Sequence, residues 1–209
     1  MELREKYMNE NYKFEDFENK HKGERIFIIG TGASLRDFDW NKIRNETTMA
    51  FNKSVFHIPF WPNYYWIWDR NSNEENIYRL MDFAPCIKFS KYRWIQVKRL
   101  PVGDNRLYSR EGLRRAGSSA IYTIELALFM GFDEIVILGI DLYIDKYYSF
   151  WQPEWMPTPP HFLANKRKWF GNELLNEFRR FESVRHKIKV GHSPRSLLVR
   201  HRIFEHIDI

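Results

Sequence analysis

Arg25-Ile26-Phe27-Ile28-Ile29-Gly30-Thr31-Gly32-Ala33-Ser34-Leu35 is the stretch whose reading decides the fold. An unbroken run of β-branched and aromatic residues that stops at glycine reads as a strand buried on both faces, the pattern of a parallel sheet. Glycines in the turn after it allow close approach of the backbone, and free N–H groups there can receive the charge of a phosphate. Two familiar phosphate motifs do not fit. Leu35 stands where a dinucleotide fingerprint has its third glycine, and no Gly-Lys-Ser/Thr follows as in a Walker A loop. A phosphate cradle and a plain tight strand-to-helix turn both remain as readings of Gly30–Leu35.

On either side the same alternation continues. Thr47–Asn52 and Tyr64–Asp69 read as the second and third strands, Asn73–Phe83 has helical spacing, and Cys86–Phe89 and Ile95–Val97 are shorter strand candidates. Ser118–Met130 is predicted as an apolar helix closed by Gly131, followed by a second buried strand, Glu134–Gly139. Residues 144–170, with Trp151, Trp155, Pro153, Pro157, Pro159 and Pro160, are too long for a plain connection and are expected to form an aromatic and proline-rich lid. Glu173–Val184 is predicted as a helix, Ile188–Val190 as a short edge strand and Ser196–Phe204 as a last helix. Residues 1–22 are read as an arm outside the core and 23–209 as one domain. Strands alternating with helices imply an α/β fold, a mostly parallel sheet flanked by helices.

Composition narrows the class of partner. The 209 residues carry a net charge of +6, and 17% of them are aromatic. Acidic residues gather near the start (Glu2, Glu5, Glu10, Glu15, Asp16, Glu18), whereas Lys166–Arg202 is basic. That balance favours phosphorylated small molecules and is compatible with peripheral membrane contact through the basic C-terminal part. No stacked-aromatic motif interleaves the basic residues, so no specific nucleic-acid partner is expected. Cys86 is the lone cysteine, which rules out an intrachain disulfide and a Cys-based zinc site. Without an apolar leader or a run long enough to cross a bilayer, the chain is expected to be cytoplasmic. A homo-oligomer is compatible with all of this.

In a parallel sheet, ligands bind beyond the carboxyl ends of the strands, near the point where strand order reverses. Several predicted strand ends carry polar residues suited to that place. Asn52 offers one acceptor and two donors to a base or ribose, or is an ordinary turn residue. Asp69 offers a carboxylate as sugar ligand or general base, or simply pairs with Arg70. Arg114-Arg115-Ala116-Gly117-Ser118-Ser119 opens the long helix as an anion site or a plain cap. Asp141, after Gly139-Ile140, leads through Tyr143 towards Tyr147-Tyr148, whose phenols suit a departing phosphate, or else Asp141 caps a turn and the tyrosines pack beneath the lid.

Taken in order, these segments resemble the bacterial CMP-sialic acid-dependent sialyltransferases, together with the related DUF115/MAF flagellin-glycosylation and MptE-like group. Gly30–Leu35 is similar to that family's Gly-x-Gly-Pro-Ser-Leu loop, with Ala33 replacing proline. Asn52 matches its strand-two asparagine, Asp69 falls at its third strand end, and Gly117-Ser118-Ser119 matches its serine-bearing helix start. Ala127–Tyr143 is similar almost throughout to its Ala-Leu-Gly-Tyr-Lys-Glu-Ile-x-Leu-x-Gly-Ile-Asp-x-Tyr segment, and Ser193–Leu198 to its terminal Pro-Asn-Ser-Leu-Leu motif. The resemblance covers residues 25–204 and implies a Rossmann-like domain with a lid. It implies a nucleotide held by Gly30, Thr31, Gly32, Ala33, Ser34, Asn52, Gly117, Ser118, Ser119 and Asp141, with Tyr143 and Tyr148 near the phosphate. The implied reaction moves a sialic-acid-like sugar from a CMP donor to a glycan acceptor, without metal or other cofactor.

The family's lid histidine is absent: its place is taken by Lys168-Trp169-Phe170-Gly171. His161 or Asp69 would then act as base, while Gly191-His192-Ser193 lies after the penultimate helix and does not inherit the role. The MptE-like branch suggests a different enzyme, a Mg²⁺-dependent diphosphotransferase with Asp69 and Asp141 as ligands. A non-catalytic nucleotide- or glycan-binding domain is the third reading.

Overall fold

A computed structural model describes residues 12–67, 77, 81–82, 84–90, 95–96, 118–142, 149–153, 159–160 and 174–209. The described residues form one sheet of β1 (Arg25–Ile29), β2 (Thr48–Phe51), β3 (Tyr64–Ile67), β4 (Ile87–Ser90), β5 (Ile95–Gln96), β6 (Glu134–Leu138), β7 (Ile188–Gly191) and β8 (Glu205–Ile207). Every neighbouring pair is parallel, in the order β5-β4-β3-β2-β1-β6-β7-β8. The chain builds outward from β1 to β5, then returns to the other side of β1 with β6. The switch in strand order therefore falls between β1 and β6, whose loops are Gly30–Leu35 and Gly139–Leu142.

Alternation along each strand feeds two cores. Ile26, Ile28, Met49, Trp66, Ile135 and Ile137 face one layer, and Phe27, Ile29, Ala50, Tyr65, Val136 and Leu138 face the other. With both faces covered, the strands need no polar side, which is why they read as continuous apolar runs. Helix α1 (Ser119–Phe129) covers the first face and buries nine of its eleven residues. Its end is a Schellman motif. Gly131, at φ 87°, donates to Leu128 O at 3.0 Å, and Phe132 N donates to Ala127 O at 3.2 Å. Glu125 on this helix is buried and meets Arg180 at 2.9 Å, an ion pair inside the apolar layer.

Several sequence expectations need correction. The arm is not wholly outside the core: Phe17 is 0% exposed and Phe14 7%, and Phe14 stacks on Phe129 at 4.3 Å. Two aromatic residues three apart give this short segment enough apolar area to dock. The strand predicted at an edge, β7, is internal, because β8 pairs beyond it through Lys189↔Glu205 to Gly191↔Ile207. β8 lies just after the predicted last helix, which shrinks to α3 (Leu197–Arg200). The Glu173–Val184 helix becomes α2 (Leu175–Phe178) and a 3₁₀ stretch over Arg179–Lys187. Apart from Ile77 and Met81, which are helical and buried, most of the Asn73–Phe83 prediction lies outside the described residues. Among the described residues no helix is long and apolar enough to cross a membrane.

Candidate functional site

At the carboxyl ends of β1 and β6 the two switch-point loops are in contact. Gly30 N donates to Leu138 O and Gly32 N to Gly139 O, each at 2.8 Å. A Cβ on Gly30 would stand 2.5 Å from Gly139 O, and one on Gly32 would stand 2.5 Å from Asp141 Oδ2. The glycines are needed for close approach, but the surface they admit is the chain's own β6 loop. Ser34 completes the junction: its N–H donates to Asp141 Oδ2 at 3.0 Å and its hydroxyl to Oδ1 at 2.5 Å.

Asp141 is only 4% exposed. Burial pushes its carboxyl above the ordinary range, while the two Ser34 bonds and nearby His192 pull it back down. Ser193 is buried near the same carboxylate, though its hydroxyl stops short of hydrogen-bond geometry. The main chain of Asp141 is tied to the C-terminal part of the fold, because its carbonyl accepts from Leu197 N at 3.0 Å.

The β2 end contributes Asn52, which adopts a left-handed conformation at φ 53°. Asparagine tolerates this region better than most side chains. Its carbonyl accepts from Tyr65 Oη at 3.1 Å and its Oδ1 from Ser119 Oγ at 3.2 Å. Among the described residues its side-chain NH₂ has no partner, leaving two donors at the half-buried carboxyl edge. The two serines of the helix start thus divide their roles. Ser119 fixes Asn52, whereas Ser118 caps α1 by accepting from Ala120 N at 3.2 Å.

The described part of the lid rests on the same loop. Phe150 N donates to Thr31 O at 3.2 Å, Arg36 donates to Gln152 O at 2.6 Å, and Trp151 stacks on His57 at 4.2 Å. Thr31–Ser34 are partly exposed.

The structure therefore gathers Gly30, Thr31, Gly32, Ala33, Ser34, Asn52, Ser118, Ser119 and Asp141 on one edge of the sheet. Asp69, Gly117, Tyr143, Tyr148 and His161 lie outside the described residues. His192, set aside by the sequence reading, stands at the carboxyl end of β7 with φ 59° and influences Asp141. The signal for it was the Gly191-His192-Ser193 triplet directly after a predicted strand. Among the described residues no group of three His, Cys, Asp or Glu side chains is arranged to hold a metal.

No family model matches the chain, and no curated protein or solved structure matches it at a significant level.

Proposed function

We propose that this protein is a glycosyltransferase that takes a CMP-activated, sialic-acid-like sugar at the carboxyl edge of β1, β2 and β6 and passes it to a glycan hydroxyl. The observation that carries the reading is Asn52. Its carbonyl and Oδ1 are both held from within, so its NH₂ donors are presented beside the switch point in one orientation. A preoriented amide at that position suits the acceptor atoms of a base or ribose.

In the reaction, the bond between the anomeric carbon and the phosphate oxygen breaks, and its electron pair leaves with CMP. The acceptor oxygen bonds to the anomeric carbon and its proton passes to a base, for which His161 and Asp69 are the proposed groups. Tyr143 and Tyr148 would steady the charge on the leaving phosphate. Asp141 contributes differently: bound through both oxygens to Ser34, it holds the glycine loop in shape. The same bonds count against the diphosphotransferase reading, which needs Asp141 turned outward as a Mg²⁺ ligand.

A thermal-shift comparison of CMP, CDP, UDP, GDP and ATP tests the reading, with CMP expected to stabilise most. Saturation at a hundred times Kd adds about 2.7 kcal/mol, or roughly 5–10 °C in a domain of this size. Asn52→Ala should weaken CMP binding about tenfold, the loss of one or two net hydrogen bonds. CMP release from a CMP-sugar should persist in EDTA. The proposal fails if no nucleotide shifts the transition and no CMP is released.

A further inference from the structure

A cavity of about 750 Å³ opens at the other end of the sheet, around the amino ends of β7 and β8. Arg185, His186, Lys189, Arg202, His206 and the carboxylate of Glu205 line its polar side, and Val199, Ile203 and Phe204 its apolar side. It continues into a second hollow that adds Arg179, Glu182 and His201. Two of the four Arg/Lys cations are neutralised locally, Arg185 by Glu182 at 2.9 Å and Lys189 by Glu205. Among the described residues, Arg179 and Arg202 have no carboxylate partner.

One detail indicates that the cavity is built for a ligand. Arg202 occupies the position just past α3 in a left-handed conformation, φ 55°, closing a Schellman motif through Arg202 N to Val199 O at 2.9 Å and Ile203 N to Leu198 O at 2.8 Å. Glycine is the ordinary choice there, because a side chain strains the backbone; this chain spends the position on a cation. His206 also belongs to the cavity wall, with its side chain partly exposed.

We propose that this cavity is a second ligand site that binds a phosphate monoester or diphosphate joined to an apolar body. Arg202 and Arg179 meet the phosphate oxygens, and Val199, Ile203 and Phe204 receive the apolar part. The site lies across the sheet from Asn52 and Ser34 and does not depend on the glycosyltransferase reading. The phosphate could be presented by a soluble compound or by a lipid headgroup, and the two sources are separable.

Pyrophosphate, titrated while the imidazole NMR signals are followed, should move His186 and His206 together and saturably. Arg202→Gln and, separately, Arg179→Gln should weaken that binding about tenfold or more, the loss of a charge-assisted contact, while Asn52→Ala leaves it unchanged. Unchanged circular dichroism of each variant ensures that a loss is not unfolding. Sedimentation with phosphatidylcholine vesicles, with and without phosphatidic acid, identifies the source. Capture by phosphatidic acid that pyrophosphate reverses indicates a headgroup, and saturable pyrophosphate binding without capture indicates a soluble ligand. The proposal is overturned by linear, unsaturable shifts spread over all histidines, or by full affinity in both arginine variants. It also fails if single-stranded RNA binds with steep salt dependence and pyrophosphate does not compete.

Discussion

Replacing Gly32 by alanine separates two uses of a glycine loop, approach to a ligand and approach to the chain itself. Gly32 has φ −62° and ψ 146°, a conformation alanine adopts freely. Backbone preference alone would therefore favour alanine by about 0.4–1 kcal/mol through the unfolded state. The added Cβ would stand 2.5 Å from Asp141 Oδ2, 2.7 Å from Asp141 Cγ and 2.7 Å from Gly139 O. None of these is a flexible tip. Gly139 O is backbone that accepts from Gly32 N, and Asp141 is held twice by Ser34. Overpacking of this kind costs about 1–3 kcal/mol, and breaking one Ser34–Asp141 bond adds about 1.5–3 kcal/mol. The net is a destabilisation of about 1.5–5.5 kcal/mol, or a Tm lower by roughly 3–22 °C. Urea and thermal unfolding of the ligand-free protein measure it. In an Asp141→Ala background the same substitution should cost less, with a coupling of about 1 kcal/mol. A Gly32→Ala protein that melts within a degree of the parent, or full additivity with Asp141→Ala, would refute the internal-packing account.

Asp141 also sets a pH dependence. Its folded carboxyl titrates above the ordinary value, so its neutral form is favoured by folding. That contribution is complete below the unfolded pKa and is lost as pH rises through the folded one. Relative to Asp141→Asn, the parent should therefore gain stability as pH falls from 7 towards 4, measured by urea unfolding; a difference independent of pH would contradict this. Cys86 is buried and its thiol is pushed up to about 12. At pH 8 its thiolate is about a thousandfold scarcer than that of free cysteine, so native protein should react with a disulfide reagent only on unfolding. Arg180→Met removes the salt bridge to buried Glu125 and should destabilise by about 3 kcal/mol or more, with Glu125→Leu in the same chain recovering most of it. Failure of the double substitution to recover stability would mean the pair is needed for packing rather than charge balance.

Much of the fold was legible because its signals are local. Ile26–Ile29 and Ile135–Leu138 are apolar runs that only a doubly covered strand explains, and Gly131 closes α1 as a left-handed cap must. The missed elements had weak local signals. Glu205–Ile207 alternates poorly and is a strand only because β7 offers it an edge, while Phe14 and Phe17 look like tail residues until Phe129, Tyr64 and Phe89 surround them. Of the candidate site, Asn52, Ser119 and the glycine loop were found by their places at strand ends and at the start of a helix. Their partners could not be: the Ser119–Asn52 bond spans 67 positions and Ser34–Asp141 spans 107.

By itself the sequence determined that a glycine turn with Gly30 and Gly32, either a phosphate cradle or a plain tight turn, follows the first strand, that the sheet is mostly parallel and flanked by helices, and that polar residues crowd the strands' carboxyl ends. Only the tertiary structure decided what comes close to those glycines. Return of the chain to the far side of β1 brings Gly139 and Asp141 against them, and Asp141 takes up the Ser34 donors that an incoming anion would otherwise meet. Periodicity and turn chemistry act over a few residues and can be read in order, whereas the occupant of a switch point is set by which distant strand pairs there.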